Sequence, residues 1–322
     1  MLRVLMTLLA LAWWPTQTAA AELVSLMTGP KTGTYYAIGK DMAAVLPDSD
    51  LAIELRASEG SVENIKRIDS TKKVTLGIVQ SDVMGFLRRS QNAQSKQVAS
   101  RLRVVSPFYQ EEVHVLARDE IEDFSDLQGK RVAVGEEGSG HMLTAVNLFA
   151  IEQIVPSDIK KISPEEGIVA VLKGDLDAVI FVGGKPVKIF KNMEGLTSPE
   201  NQKFALLLQA VHFLPLNNAK FYEEYEPTEI TPQDYDFVKS IVPTIAVQAL
   251  LVSYEPLAAQ GKQQEKFREY RCDTLKTFAS RLRGVLPELK RYGHPKWQEV
   301  NLSGDSLGWQ KEACAGGVHP PK

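Results

Sequence analysis

Cysteine is scarce in this sequence, with only Cys272 and Cys314, and its five histidines are scattered over 322 residues. His114, His141, His212, His294 and His319 share no metal-ligand spacing, so nothing points to a metal centre. No glycine-rich loop ends in Gly-Lys-Ser/Thr, and none carries three glycines in dinucleotide spacing. No Ser-His-Asp order stands in a nucleophile-elbow context, so an enzyme has no positive support and no cofactor is expected. An excess of one charge is also missing. There are 37 basic and 40 acidic residues and no concentrated basic stripe, which excludes a nucleic-acid binder. Beyond the first residues, no apolar run approaches the length of a membrane span.

That first stretch is informative. Arg3 precedes an apolar run from Val4 to Trp14, and Pro15 leads to the small residues Ala19, Ala20 and Ala21. This is the order of a secretory signal peptide, read here as residues 1–21. The mature chain is then expected in the periplasm. Its loss removes one cation, Arg3, leaving 36 basic against 40 acidic residues. About 300 residues exceed one comfortable hydrophobic core, so two lobes are expected. In an exported protein an even pair of cysteines reads as a disulfide, here Cys272 with Cys314. Closing a loop of about forty residues stabilises by roughly 4 kcal/mol in the chain-entropy model.

Strand and helix patterns alternate from Leu23 to Val182, which predicts an α/β fold with mostly parallel sheets flanked by helices. Strands are expected at 23–27, 51–56, 74–79, 103–109, 113–117, 130–134 and 178–182. Helices are expected at 35–46, 62–68, 83–90, 142–151, 164–173 and 264–282. Two extended stretches, Ser106–Arg118 and Pro243–Ser253, read as crossings between lobes. Residues 22–112 would form the first part of lobe 1 and residues 113–245 lobe 2. Residues 246–322 would return to lobe 1 as helices, with a mobile tail after Cys314. Two crossings make a hinge with a cleft between the lobes.

Five strands or apolar runs end in small polar loops that open into helices: Thr28–Tyr36, Ser58–Asn64, Gln80–Asp82, Gly135–His141 and Val182–Pro186. Backbone N–H groups and helix-dipole ends at such places suit an anion. In open α/β sheets ligands sit at the carboxyl ends of strands. In the first loop Lys31, Gly33, Thr34 and Tyr35 are candidates, the alternative being a plain turn and cap. In the second, Glu59, Gly60, Ser61 and Asn64 are candidates; Ser61 alone suits a cap and Asn64 a ligand contact. Gln80 and Ser81 follow in the third, with Asp82 read as the helix cap. Ser139 and Gly140 form an anion-fitted turn, with Glu136 and Glu137 read as solvated. Gly183 and Lys185 complete the set. The loops favour a carboxylate, and Lys31 or Lys185 could neutralise a second one. Glu59 could instead accept an ammonium group or remain a solvated acid. His114 reads as structural.

The chain resembles the TAXI family, the extracytoplasmic solute receptors associated with TRAP transporters. The resemblance rests on TGPKTGTYYAIGKDMA (28–43), ASEGSVENI (57–65), GIVQSDV (77–83), YQEEVHVLAR (109–118), DLQGKRVAVGEEGSG (126–140), LKGDLDAVIFVGGKP (172–186) and PTIAVQALLVS (243–253). It implies a two-lobed, type II-like periplasmic-binding fold. It also implies closure on a small carboxylate such as glutamate, glutamine or 2-oxoglutarate, with delivery to a TRAP-type membrane permease. Lys31, Glu59 and His141 depart from the family pattern and bear on the ligand's identity. A monomer is expected. A ligand-sensing module acting on a membrane signalling partner is the other reading, and a periplasmic hydrolase or transferase on the same scaffold is a third.

Overall fold

In the computed structural model we describe residues 21–316 apart from 48–50, 71–73, 195–205, 257 and 259. The leader expected at 1–21 and the end of the expected mobile tail, 317–322, lie outside the described residues, except Ala21. Lobe 1 opens with β1 (Glu22–Met27), α1 (Thr34–Val45), β2 (Leu51–Arg56) and α2 (Ser61–Ser70). There follow β3 (Val74–Gln80), α3 (Ser81–Arg89) and α4 (Ala93–Arg101). The long strand β4 (Leu102–Arg118) then crosses into lobe 2. There the chain forms β5 (Arg131–Ala133), α5 (Gly140–Glu152), β6 (Asp158–Lys160), α6 (Pro164–Lys173), β7 (Ala178–Gly183) and α7 (Lys188–Glu194). After β8 (Val211–Phe213) and β9 (Glu226–Ile230), β10 (Val242–Tyr254) crosses back, and α8 (Lys262–Tyr292) covers lobe 1.

The strand order is β2-β1-β3-β10-β4-β7-β5-β6, with β8 on β4 and β9 on β10. β1, β2 and β3 are parallel, as are β5, β6 and β7; β10 runs antiparallel to β3, and β4 runs antiparallel to β7. This is an α/β architecture of two lobes, each a set of parallel strands with helices, joined by two crossing strands. The crossings also pair with each other, from Leu102↔Tyr254 to Glu112↔Ala246, so the two lobe sheets are continuous through the hinge. β10 pairs with β9 over Val242–Ala246 and with β3 over Ala249–Val252, and irregular register near Gln248 marks the changeover.

Burial on both faces explains the apolar runs of the central strands. Along β10, Ala249 and Leu251 enter the cluster beneath α1 and α8, while Leu250 and Val252 enter the one beside α2 and α3. Along β7, Ala178, Ile180 and Val182 face one lobe 2 cluster, and Val179 and Phe181 the other. Helix ends follow local chemistry. Ser139 caps α5 by accepting from Met142 N, and Ser163 and Glu166 form a capping box around Pro164 at the start of α6.

Two expectations need correction. The strands predicted at 103–109 and 113–117 are one strand, because the polar Gln110-Glu111-Glu112 interruption is stabilised in place by partners from elsewhere. The helix predicted over 264–282 continues to Tyr292 through Gly284 and Pro287, since Leu282 and Leu289 pack on the lobe 1 core. Helix α4, whose sequence is polar apart from its alanines and Val98, carries too weak a periodicity to be expected. Cys272 and Cys314 are joined, with Cα atoms 5.1 Å apart, as expected.

Candidate ligand-binding site

All five loops meet at one cavity between the lobes. About 60 Å³ is open to the centres of water-sized molecules, room for several waters or one small solute. The N-terminal ends of five helices border it. Gly33, Thr34 and Tyr35 come from α1, Gly60 and Ser61 from α2, and Gln80 from the residue before α3. Lobe 2 adds Gly140 and His141 from α5 and Pro164 and Glu165 from α6. Phe181, Val182 and Gly183 enter from β7, and Glu111 from the crossing strand β4. Each N-terminal turn contributes partial positive charge, so the cavity suits an anionic group.

The lobes are in contact around it. Thr34 Oγ1 donates to Gly184 O at 3.2 Å, Glu63 N to Gly138 O at 3.0 Å, and Thr144 Oγ1 to Asp82 Oδ2 at 2.7 Å. Arg89 and Glu224 pair across the outer rim at 3.0 Å. Gly140 lies so close to lobe 1 that a Cβ there would meet Gln80 Oε1 at 1.4 Å and Ser61 Oγ at 2.8 Å. Gly135 turns with φ +86°, and a Cβ there would lie 2.1 Å from His141 Cδ2. The absence of a side chain at Gly135 leaves room for the imidazole, which packs on Phe181 with ring centroids 5.1 Å apart.

Of the sequence candidates, Gly33, Thr34, Tyr35, Glu59, Gly60, Ser61, Gln80, Gly140 and Gly183 line the cavity. Five others do not. Lys31 is exposed beside it. Asn64 is buried with its amide donating to Thr28 O and, at 2.8 Å, to Ile78 O, so it joins two loops rather than facing a ligand. Ser81 Oγ accepts from Gln248 N at 3.1 Å, tying α3 to β10. Ser139 is occupied in capping α5 and in donating to Glu136 O at 2.7 Å. Lys185 Nζ is held by Asp234 at 3.0 Å and by Glu229 O.

Three role assignments also change. Ser61 does not cap α2; its hydroxyl accepts from Gln80 N at 3.1 Å. Asp82 does not cap α3 from outside, since Gln80 precedes the helix and Asp82 reaches to Thr144 and Tyr225 of lobe 2. Its enclosure there pushes its carboxyl up to about 6, against the hydrogen bonds that lower it. Glu136 is not simply solvated: it lines the cavity, and burial first, then neighbouring Glu59 and Glu165, raise its pKa. His114 is buried, held by Glu112 O and Tyr235 OH at 2.9 Å each, as its structural reading anticipated.

Glu111 escaped the sequence reading. It is buried, it lines the cavity, and Tyr35 OH donates to its Oε2 at 2.6 Å. Burial pushes its pKa up to about 8, so near neutrality most of it is protonated. Its signal was two consecutive acids inside an otherwise apolar strand. His141, lowered to about 4 by burial, is neutral. Among the described residues, three buried atoms of the cavity lining have no hydrogen-bond partner: Gln80 Nε2, Glu136 Oε2 and His141 Nε2. Unpaired polar atoms inside a protein are costly, and here all three belong to side chains that border one cavity.

The profile of the NMT1-like family matches residues 26–260. The chain belongs to the NMT1-like family. The match spans the five loops, both crossings and most of the two lobes. Among solved structures, the chain is similar to the periplasmic sulfonate-binding protein SsuA from Methylobacillus flagellatus KT. Identity is 12%, with 86% of this chain and 74% of that one covered and a TM-score of 0.46. The periplasmic aliphatic sulphonate binding protein SsuA from Escherichia coli is 15% identical, over 84% of this chain and 75% of its own, at 0.42. The periplasmic binding protein BugD is 10% identical, over 86% and 85%, at 0.46.

Proposed function

We infer that this member of the NMT1-like family is an extracytoplasmic solute receptor of the TAXI kind. It captures a small carboxylate by lobe closure and delivers it, as a monomer, to a TRAP-type membrane permease. The observation that carries this reading is the cavity itself, bordered by five helix N-termini and enclosed by contacts between two lobes. An anionic group seated there receives backbone N–H donors from both lobes, so binding favours the closed arrangement. The lobe limits proposed are 22–112 and 246–322 for lobe 1 and 113–245 for lobe 2. Near these limits the apolar clusters change over, between Tyr109 and Val113 on β4 and between Val247 and Ala249 on β10. Periplasmic location rests on the leader sequence; among the described residues no helix is long and apolar enough to cross a membrane.

A thermal-shift screen of carboxylates and amino acids against ligand-stripped mature protein tests the reading. A ligand at a hundredfold excess over Kd stabilises by about 2.7 kcal/mol. Small-angle scattering with the best ligand is expected to show a reduced radius of gyration. Gly140→Val, which fills the contact between the lobes, is expected to abolish both responses. A stabilising ligand that leaves the radius unchanged would remove closure from the mechanism. Stimulated uptake of that ligand in proteoliposomes holding a TRAP permease tests delivery. Its failure would favour a sensing module.

A further inference from the structure

The charge of the cavity wall restricts what the other end of the ligand is. Four carboxyl side chains, Glu59, Glu111, Glu136 and Glu165, line the cavity, and no lysine or arginine stands among the described lining residues. The two lysines nearest in sequence to the loops are elsewhere: Lys31 is exposed, and Lys185 is engaged by Asp234. Helix N-termini can hold one carboxylate, but a second would enter this acidic wall with no side-chain cation to meet it. The unpartnered buried atoms sharpen the point. Glu136 Oε2 is an acceptor in need of a donor, and Gln80 Nε2, on a side chain only 3% exposed, is a donor in need of an acceptor. Together they call for a ligand with both signs.

We propose that the cavity selects a small zwitterion, one carboxylate and one ammonium group, with the ammonium received by Glu136 between the lobes, and rejects dicarboxylates. Glu59 belongs to lobe 1 while Glu136 and Glu165 belong to lobe 2, and the lobes meet so closely that a Cβ added at Gly138 would lie 3.6 Å from Glu59 Cβ. Closure therefore gathers like charges at one edge of the cavity. An ammonium group placed among them offsets that repulsion, so the ligand's positive charge is coupled to closure. His141, neutral and packed on Phe181, adds a polar edge to the same cavity without supplying charge.

The proposal rests on the receptor reading, and a matched five-carbon set separates the two. Calorimetry on ligand-stripped mature protein at neutral pH compares 5-aminopentanoate and L-glutamine with glutarate. The amine-bearing probes are expected to bind at least about tenfold more tightly than glutarate, the factor expected of one charge-assisted contact. Glu136→Gln is expected to weaken the amine probes by about tenfold and to erase the preference over glutarate. Scattering should show closure with the amine probes in the wild type. Glutarate binding as tightly as 5-aminopentanoate, or an unchanged preference in Glu136→Gln, overturns the proposal and leaves the receptor reading standing. Binding of none of the three probes overturns the proposal, and overturns the receptor reading as well when the thermal-shift screen finds no other carboxylate or amino acid that binds.

Discussion

Glu111 and Glu112 are adjacent on the crossing strand and equally buried, at 2% exposure each, yet they occupy opposite chemical worlds. Strand pleating sends them to opposite faces. Glu112 faces the C-terminal segment, where buried Lys296 pairs with its Oε1 at 2.6 Å and Lys185 N donates to its Oε2 at 2.8 Å. Glu111 faces the cavity, where among the described residues the Tyr35 hydroxyl is its side-chain hydrogen-bond partner. Burial raises both carboxyls, but the ammonium beside Glu112 pulls it back, while Glu111 is carried to about 8. One face of the hinge is a closed ion pair that fixes the crossing; the other is a protonated acid left for chemistry in the cleft.

The largest effect is expected from breaking the closed face. Lys296→Met leaves Glu112 buried without its cation and should cost roughly 3–5 kcal/mol of stability. Urea unfolding checks it, and adding Glu112→Gln should recover part of the loss through coupling of the pair.

The open face should behave in the opposite sense. In the folded protein Glu111 holds its proton up to about pH 8, whereas in the unfolded chain it releases it near 4.5. Its contribution to stability is therefore full below 4.5 and is lost as pH rises through about 8. Glu111→Gln, neutral at every pH, is expected to flatten that decline when unfolding midpoints are compared at acid, neutral and alkaline pH. A decline of unchanged slope would mean that Glu111 is ionised in the native state.

Smaller changes refine the contrast. Thr144→Val removes the hydroxyl that Asp82 receives across the cleft and should weaken closure by about 1 kcal/mol, read as a larger radius of gyration at fixed ligand. Tyr35→Phe removes the hydroxyl that donates to Glu111 and should cost about 0.5–1.5 kcal/mol. A larger loss in Tyr35→Phe than in Lys296→Met would reverse the ranking of the two faces.

Much of this architecture was legible in the chain. Alternating β and α periods and two extended apolar crossings gave the lobes, because burial on both faces writes itself into uninterrupted runs such as Val74–Gln80. The five small-residue loops were legible for the same reason, since helix starts beside strand ends have few alternatives. Side-chain direction was not. Asn64, Ser81 and Ser139 have the chemistry of ligand contacts, but Asn64 and Ser81 are engaged by backbone groups distant in sequence, and Ser139 by its own turn and helix start. Lys185 was placed correctly along the chain and wrongly in space, because its partner Asp234 lies 49 residues on. Glu111 was missed because a buried acid is stable only where distant residues such as Tyr35 enclose it.

The disulfide has a consequence beyond fastening α8. In lobe 1, β4 pairs with β10 on one side only, and its other margin meets the segment before Cys314. Val104 accepts from Glu312 N at 2.8 Å and donates to Gln310 O at 2.9 Å. Glu312 is also clasped by Arg271, one residue before Cys272 in α8. A free margin of this kind is a template on which another chain can add a strand. The covalent tie thus holds a self-supplied blocking segment along that margin, so the outer edge of β4 offers no open template to a strand from another chain.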